Sequence, residues 1–121
     1  MKSFLLFSFL VLTMMLSTAA GQKSPKLPAF PTQPNINIAL NQLNLARQKA
    51  DGNPVHAIVH LQKANISLKR SANNKGSFRA TAQRLADQAI KHLEKGEKDT
   101  AKKEIEDAIK ATVKAGEASA K

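Results

Sequence analysis

Three histidines are the side chains of this chain best suited to chemistry. His56 and His60 lie four residues apart, and His92 precedes Gly96 by four residues, as His56 follows Gly52 by four. On a helix, two imidazoles at this spacing project from neighbouring turns of one face, with Cβ atoms about 6 Å apart. Such a pair can chelate one Cu, Ni or Zn ion. With His92 as a third ligand and water as a fourth, the three histidines would form an open metal site.

A second interpretation of the histidines is structural, because each lies beside an apolar stripe, where amphipathic helices often carry polar residues.

Motifs for catalysis are scarce in this chain. The chain has no cysteine, no glycine-rich phosphate loop and no Gly-x-Ser-x-Gly sequence. Its acidic residues are interspersed with lysines near the C-terminus, where surface ion pairs account for them. We therefore expect no catalytic residues and no enzymatic activity.

Apolar residues at three- and four-residue intervals predict four helices that position these histidines. The first spans 35–50 and stops at Asp51-Gly52, where glycine can take the left-handed conformation that ends helices. The second starts at Pro54 with Asn53 as its N-cap, and the third is capped by Ser77 and stops at Gly96. The fourth spans 99–116. Short loops force neighbouring helices to run antiparallel, so the predicted fold is all-α, an up-down-up-down four-helix bundle. In that arrangement, all three histidines would converge on one rim.

An internal repeat relates the two halves of the predicted bundle. A shift of 44 residues aligns Gly52 with Gly96 and Leu61 with Ile105, and it also aligns two pairs of alanines. The bundle thus consists of two copies of one helical hairpin.

The N-terminal residues predict export. A positive start at Lys2, an uncharged run over 4–16 and small residues at 17–20 are typical of a secretory signal peptide cut after Ala20. The apolar run is too short to span a bilayer comfortably, and no cysteine follows to carry a lipid. We expect a periplasmic or secreted product.

Four domain segments follow from these patterns: a signal peptide over 1–20, a linker over 21–34, the bundle over 35–116 and a tail over 117–121. The linker has a proline at every third position from Pro25 to Pro34, which favours an extended chain. We interpret it as a tether; a ligand for a proline-binding groove is the alternative.

Charge offers a second hypothesis for function. The formal net charge is +10, and residues 21–86 hold ten basic residues against Asp51 alone, whereas 87–121 hold eight of each sign. This asymmetry suggests contact with an anionic surface, a polyanion or a protein partner, with solubility as the simpler explanation. Arg70, Lys75 and Arg79 flank the turn between helices two and three and are candidates for anion binding.

Nucleic acid is disfavoured as a partner, because few aromatic side chains are present for stacking on bases. A homodimer remains open, since the core is small.

The stretches HAIVHLQKA at 56–64 and LADQAIKHLEKG at 85–96 resemble the bacterial small metal-binding protein family. Members of that family are exported four-helix bundles built from repeated His-bearing segments, and they bind divalent metals, copper among them. The resemblance implies metal binding here through His56, His60 and His92. The chain departs from the pattern at Thr100 and Glu104, which stand where the second hairpin would repeat His56 and His60.

Overall fold

The computed structural model describes residues 27–71 and 77–120, and these residues contain four helices and no strand. The helices are α1 (Pro34–Lys49), α2 (Pro54–Arg70), α3 (Phe78–Glu94) and α4 (Lys98–Ala120). Helix α1 packs against α2 and α4, and α3 packs against α2 and α4, which closes a four-membered ring. The prediction of an all-α four-helix fold is confirmed. The predicted signal peptide, the linker residues 21–26, Lys75 and Lys121 lie outside the described residues.

The core combines residues from all four helices, and it is built mainly from alanine. One cluster joins Leu43 of α1, Leu61 of α2, Leu93 of α3 and Ile105 of α4, with small side chains between them. Alanine lets helices approach closely, and this cluster contains no aromatic ring. The apolar residues that the 44-residue shift aligns are all fully buried in this cluster: Ala57, Leu61, Ala64, Ala101, Ile105 and Ala108.

Helices α2 and α3 begin differently. Asn53 caps α2 as predicted, because its Oδ1 accepts a hydrogen bond from the His56 backbone N–H at 3.3 Å, and Pro54 occupies the first helical position. The expectation that Ser77 caps α3 is wrong. Ser77 has φ 61°, in the left-handed region, and its side chain makes no capping hydrogen bond.

The two glycine turns differ as well. Gly96 has φ 81°, and the backbone N–H groups of Gly96 and Glu97 donate to Leu93 O at 3.0 Å and to His92 O at 2.8 Å. These two bonds form a Schellman motif, which needs a residue in the left-handed conformation. Gly52 does not have a positive φ, although the sequence suggested one. The repeat therefore holds for the core residues and not for the turns.

The predicted end of the fourth helix at Gly116 is also wrong, because α4 continues to Ala120. Gly116 is instead a packing position. The Phe30 ring lies so close that a Cβ added to Gly116 would be 2.7 Å from it. The backbone carbonyl of Gly116 also accepts a hydrogen bond from Gln33 Nε2 at 2.9 Å. Residues at the start of α1 and near the end of α4 are thus joined.

Residues 27–33 pack against the helices, so this part of the predicted linker is not a free tether. Phe30 is 8% exposed and belongs to a second core cluster with Ile36 and Leu40. Its backbone N–H donates to Asn37 Oδ1 at 2.8 Å, and its carbonyl accepts from Asn37 Nδ2 at 2.9 Å. One asparagine side chain therefore satisfies both backbone groups of the buried residue.

Candidate functional site

Helix α2 carries the histidine pair of the predicted metal site. His56 lies in the first turn and is exposed, whereas His60 is half-buried one turn further on. The Nδ1 atom of His60 lies 2.7 Å from Oε1 of Gln42 on α1. With the Gln42 amide oxygen facing the ring, Nδ1 is the donor and the lone pair lies on Nε2. This contact fixes the tautomer and the orientation of the ring, as an outer partner does for a metal-binding histidine.

The environment of His60 also favours the neutral imidazole. Burial lowers the pKa of His60 below its ordinary value of 6.5, and the positive charges of Lys63, His56 and Lys49 lower it further. A neutral ring is the form that can ligate a metal. In the pair on α2, the His60 ring is therefore held by Gln42 and favours the neutral form that binds metal. The His56 ring, four residues earlier, is exposed.

His92 has a different environment, formed by carboxylates. Its Nδ1 lies 2.7 Å from Oε1 of Glu104 on α4, and its Nε2 lies 3.6 Å from Oε1 of Glu97 in the α3–α4 connection. Glu104 is the residue that the repeat equates with His60. The second hairpin therefore replaces a histidine with a carboxylate that holds His92 in place.

The structure does not bring the three histidines together. His60 lies at the α1–α2 interface and His92 at the α3–α4 interface, and these two interfaces are on opposite sides of the four-helix ring. Within residues 27–71 and 77–120, no group of three or more His, Asp or Glu side chains is arranged to hold a metal ion. The described residues therefore do not form the expected three-histidine metal site of His56, His60 and His92. The sequence indicated the level of each histidine along the bundle but not the direction in which it points.

The predicted anion-binding residues also have separate environments. The Arg79 Nη1 atom donates to the backbone carbonyl of Ser71 at 2.6 Å, so this guanidinium helps to join the end of α2 to the start of α3. Arg70 is exposed, and its backbone carbonyl accepts from Asn35 Nδ2 at 3.2 Å. Lys75 lies outside the described residues. The structure therefore shows no anion site formed by the two described arginines.

Sequence reasoning missed one surface feature, a set of large apolar side chains that are exposed on α1 and α2. These residues are Ile38, Val55, Val59 and Ile66. Their signal was present in the sequence, because each lies off the apolar stripe that identified its helix. An apolar residue outside the stripe of an amphipathic helix points away from the core.

Comparisons with family models, with curated proteins and with solved structures found no match. The resemblance to the bacterial small metal-binding protein family therefore rests on the two sequence stretches given above. Among the residues that the structure describes, no helix is both long and apolar enough to cross a membrane.

Proposed function

We propose that this protein is an exported, non-enzymatic four-helix bundle that binds one divalent metal ion (Cu, Ni or Zn) through His56 and His60. Residues 1–20 direct export to the periplasm or the medium and are then removed. His92 is not a ligand of this site. Two imidazoles leave several coordination positions for water, which is typical of a weak, exchangeable site rather than a structural one.

The contact between His60 and Gln42 is the observation that carries the metal proposal. It holds the His60 ring across the α1–α2 interface with its Nε2 lone pair available. The lowered pKa of His60 means that a metal ion meets little competition from protons near neutral pH. His56, one turn earlier, adds the second nitrogen. A bound metal would supply a positive charge on this face and sites for exchangeable ligands.

The bundle has the up-down-up-down topology in this proposal, and three contacts support it. Asn35 at the start of α1 contacts Arg70 at the end of α2. Arg79 at the start of α3 donates to the carbonyl of Ser71 at the end of α2, and His92 near the end of α3 contacts Glu104 near the start of α4. Short connections between consecutive helices are consistent with antiparallel neighbours.

The test is a titration of residues 21–121 with Zn²⁺ and Ni²⁺, followed by NMR of the histidine rings. We expect saturable shifts at His56 and His60 with a stoichiometry of one, and a loss of affinity of at least about tenfold in His56→Ala and in His60→Ala. The variant Gln42→Ala should weaken binding by about 10–100-fold, because it removes the outer partner of His60. His92→Ala is the matched control and should bind as the wild type does.

Binding should also depend on pH in a defined direction. The pKa of His60 is lowered, so its ring remains neutral somewhat below pH 6.5, and metal affinity should fall only as the pH drops through and below that value. Affinity that is unchanged in the His56→Ala and His60→Ala variants would contradict the proposal. So would clearly weaker binding by His92→Ala, because that control should bind as the wild type does.

A further inference from the structure

The largest exposed apolar side chains among the described residues all belong to the first hairpin. Val55 is 67% exposed, Ile66 50%, Ile38 47% and Val59 39%. The large apolar residues of α3 and α4 are buried or half-buried. The surface formed by Ile38, Val55, Val59 and Ile66 is called the outer face of the first hairpin below. Such an apolar surface on one side of a small protein is typical of a contact site.

The three residues on α2 form a single stripe. With 3.6 residues per turn, Val55, Val59 and Ile66 fall within an arc of roughly 40° along about 16 Å of the helix. The contacts of α2 show which way this stripe points, since His60 contacts α1 and Asn65 contacts α3. The stripe lies on neither of these sides. It points away from the buried stripe of Ala57, Leu61, Ala64 and Leu68.

Ile38 extends the stripe onto α1. The contact of Asn35 with Arg70 places the start of α1 beside the end of α2. In an antiparallel pair, three residues further along α1 correspond to three residues back along α2, so Ile38 lies at about the level of residues 66–67. On its own helix, Ile38 lies opposite the buried residues Ile36 and Leu40. The outer face therefore spans both helices of the hairpin.

Cationic side chains surround this face, and no carboxylate lies on either helix. Helices α1 and α2 contain no acidic residue, and their basic residues are Arg47, Lys49, Lys63, Lys69 and Arg70. Asp51, in the turn between the two helices, is engaged by the other hairpin, because Lys102 Nζ lies 2.8 Å from its Oδ2. On the helical wheel, Lys63, Lys69 and Arg70 border the apolar stripe.

We propose that the outer face of the first hairpin docks onto the surface of an anionic phospholipid bilayer. The valines and isoleucines enter the boundary between headgroups and acyl chains, and the flanking lysines and arginines bind the anionic headgroups. The proposal commits to lipid because of charge complementarity. A second copy of the chain would bring cationic side chains against each other, whereas an anionic polymer has no apolar layer to receive the stripe. The lipid-binding proposal does not rest on the metal-binding proposal.

The experiment is co-sedimentation of residues 21–121 with vesicles of phosphatidylcholine alone and with 30 mol% phosphatidylglycerol, on the order of physiological anionic content. These residues contain every described helix and the whole described core. The apolar run at 4–16, which would bind lipid by itself, is excluded. We expect binding to the anionic vesicles that weakens with added salt, and at least tenfold weaker binding to the neutral ones.

Two variants separate the apolar contribution from the charge contribution. The triple variant Val55→Ser, Val59→Ser, Ile66→Ser should reduce binding to anionic vesicles at least tenfold. The variant Lys63→Gln, Lys69→Gln should do the same. Its matched control, Lys91→Gln with Lys103→Gln, removes two equally exposed lysines from α3 and α4 and should change binding less than twofold. Far-UV circular dichroism checks that each variant is folded; all the substituted residues are at the surface.

Three outcomes would overturn the proposal. Equal binding by the triple serine variant would show that the apolar stripe does not enter the bilayer. Equal loss in the Lys91, Lys103 control would show that net charge alone governs binding. A wild-type dimer in analytical ultracentrifugation that the triple variant converts to a monomer, without vesicle binding by either, would assign the face to a second copy.

Discussion

At the residue scale, Gly116 shows how one missing Cβ shapes this fold. Because glycine has no side chain, the Phe30 ring lies against α4, where an added Cβ would be 2.7–2.8 Å from three ring atoms. Phe30 is itself buried, so the ring has little room to shift. The same glycine lowers the intrinsic stability of α4, because glycine in a helix interior is unfavourable relative to alanine.

We therefore predict that the effect of Gly116→Ala changes sign with the residue at position 30. In the wild-type background it should destabilise the protein by about 1–3 kcal/mol, as overpacking does. In a Phe30→Ala background it should stabilise by about 1 kcal/mol, because only the helix propensity remains. Urea unfolding of the wild type, of Gly116→Ala, of Phe30→Ala and of the double variant measures the four free energies of unfolding. Stabilisation by Gly116→Ala in both backgrounds would show that Phe30 does not pack on α4.

At the element scale, helices α2 and α3 begin with different N-terminal conformations. Asn53 accepts a hydrogen bond at the start of α2, whereas Ser77 lies at the start of α3 with φ 61° and no side-chain cap. A non-glycine residue in the left-handed region costs about 1–2 kcal/mol. The two positions look alike in the sequence, since both asparagine and serine are favoured N-caps.

We predict that substitution at these two positions changes the free energy of unfolding in opposite directions. Asn53→Ala should destabilise the protein by about 0.5–2 kcal/mol, since it removes the cap. Ser77→Gly should stabilise it by about 1 kcal/mol, since glycine adopts a positive φ without strain. Thermal unfolding by circular dichroism measures both, with Ser77→Ala as a control that keeps the strain and removes no capping bond. A large loss of stability in Ser77→Ala would show that the serine hydroxyl does cap α3.

At the scale of the whole molecule, the repeat produces one core rather than two. Leu61 and Ile105 are equivalent under the 44-residue shift, and both are fully buried in the cluster that joins all four helices. A hairpin that unfolded alone would expose the alanine faces of the other. The four helices are therefore expected to unfold together.

We predict that Leu61→Ala and Ile105→Ala each cost about 2–5 kcal/mol and that each lowers protection across all four helices. Native-state hydrogen exchange, followed residue by residue, gives both the size and the distribution of the loss. Ile66→Ala, at a half-exposed position on α2, is the control and should change stability by about 0.5 kcal/mol or less. Loss of protection confined to α1 and α2 in Leu61→Ala would contradict a single cooperative unit.

The sequence by itself determined the four helices and most of their buried faces. Three- and four-residue spacing identifies residues such as Leu43, Leu61 and Ile105, because a helix that buries one face must repeat apolar side chains with its own period. Gly96 and Asn53 were recognisable for a similar reason, since a helix end needs specific local chemistry that one or two residues supply.

Only the tertiary structure decided which way the remaining side chains point and what they meet. His60 contacts Gln42 while His92 contacts Glu104, so residues that share a level of the bundle lie on different sides of it. Gly116 accommodates a ring from 86 residues earlier in the chain instead of ending a helix. These outcomes depend on the rotation of each helix about its axis and on contacts between distant segments. Neither is encoded in the local spacing of residues. That spacing defines which residues share one face of a helix, but not which other element this face contacts.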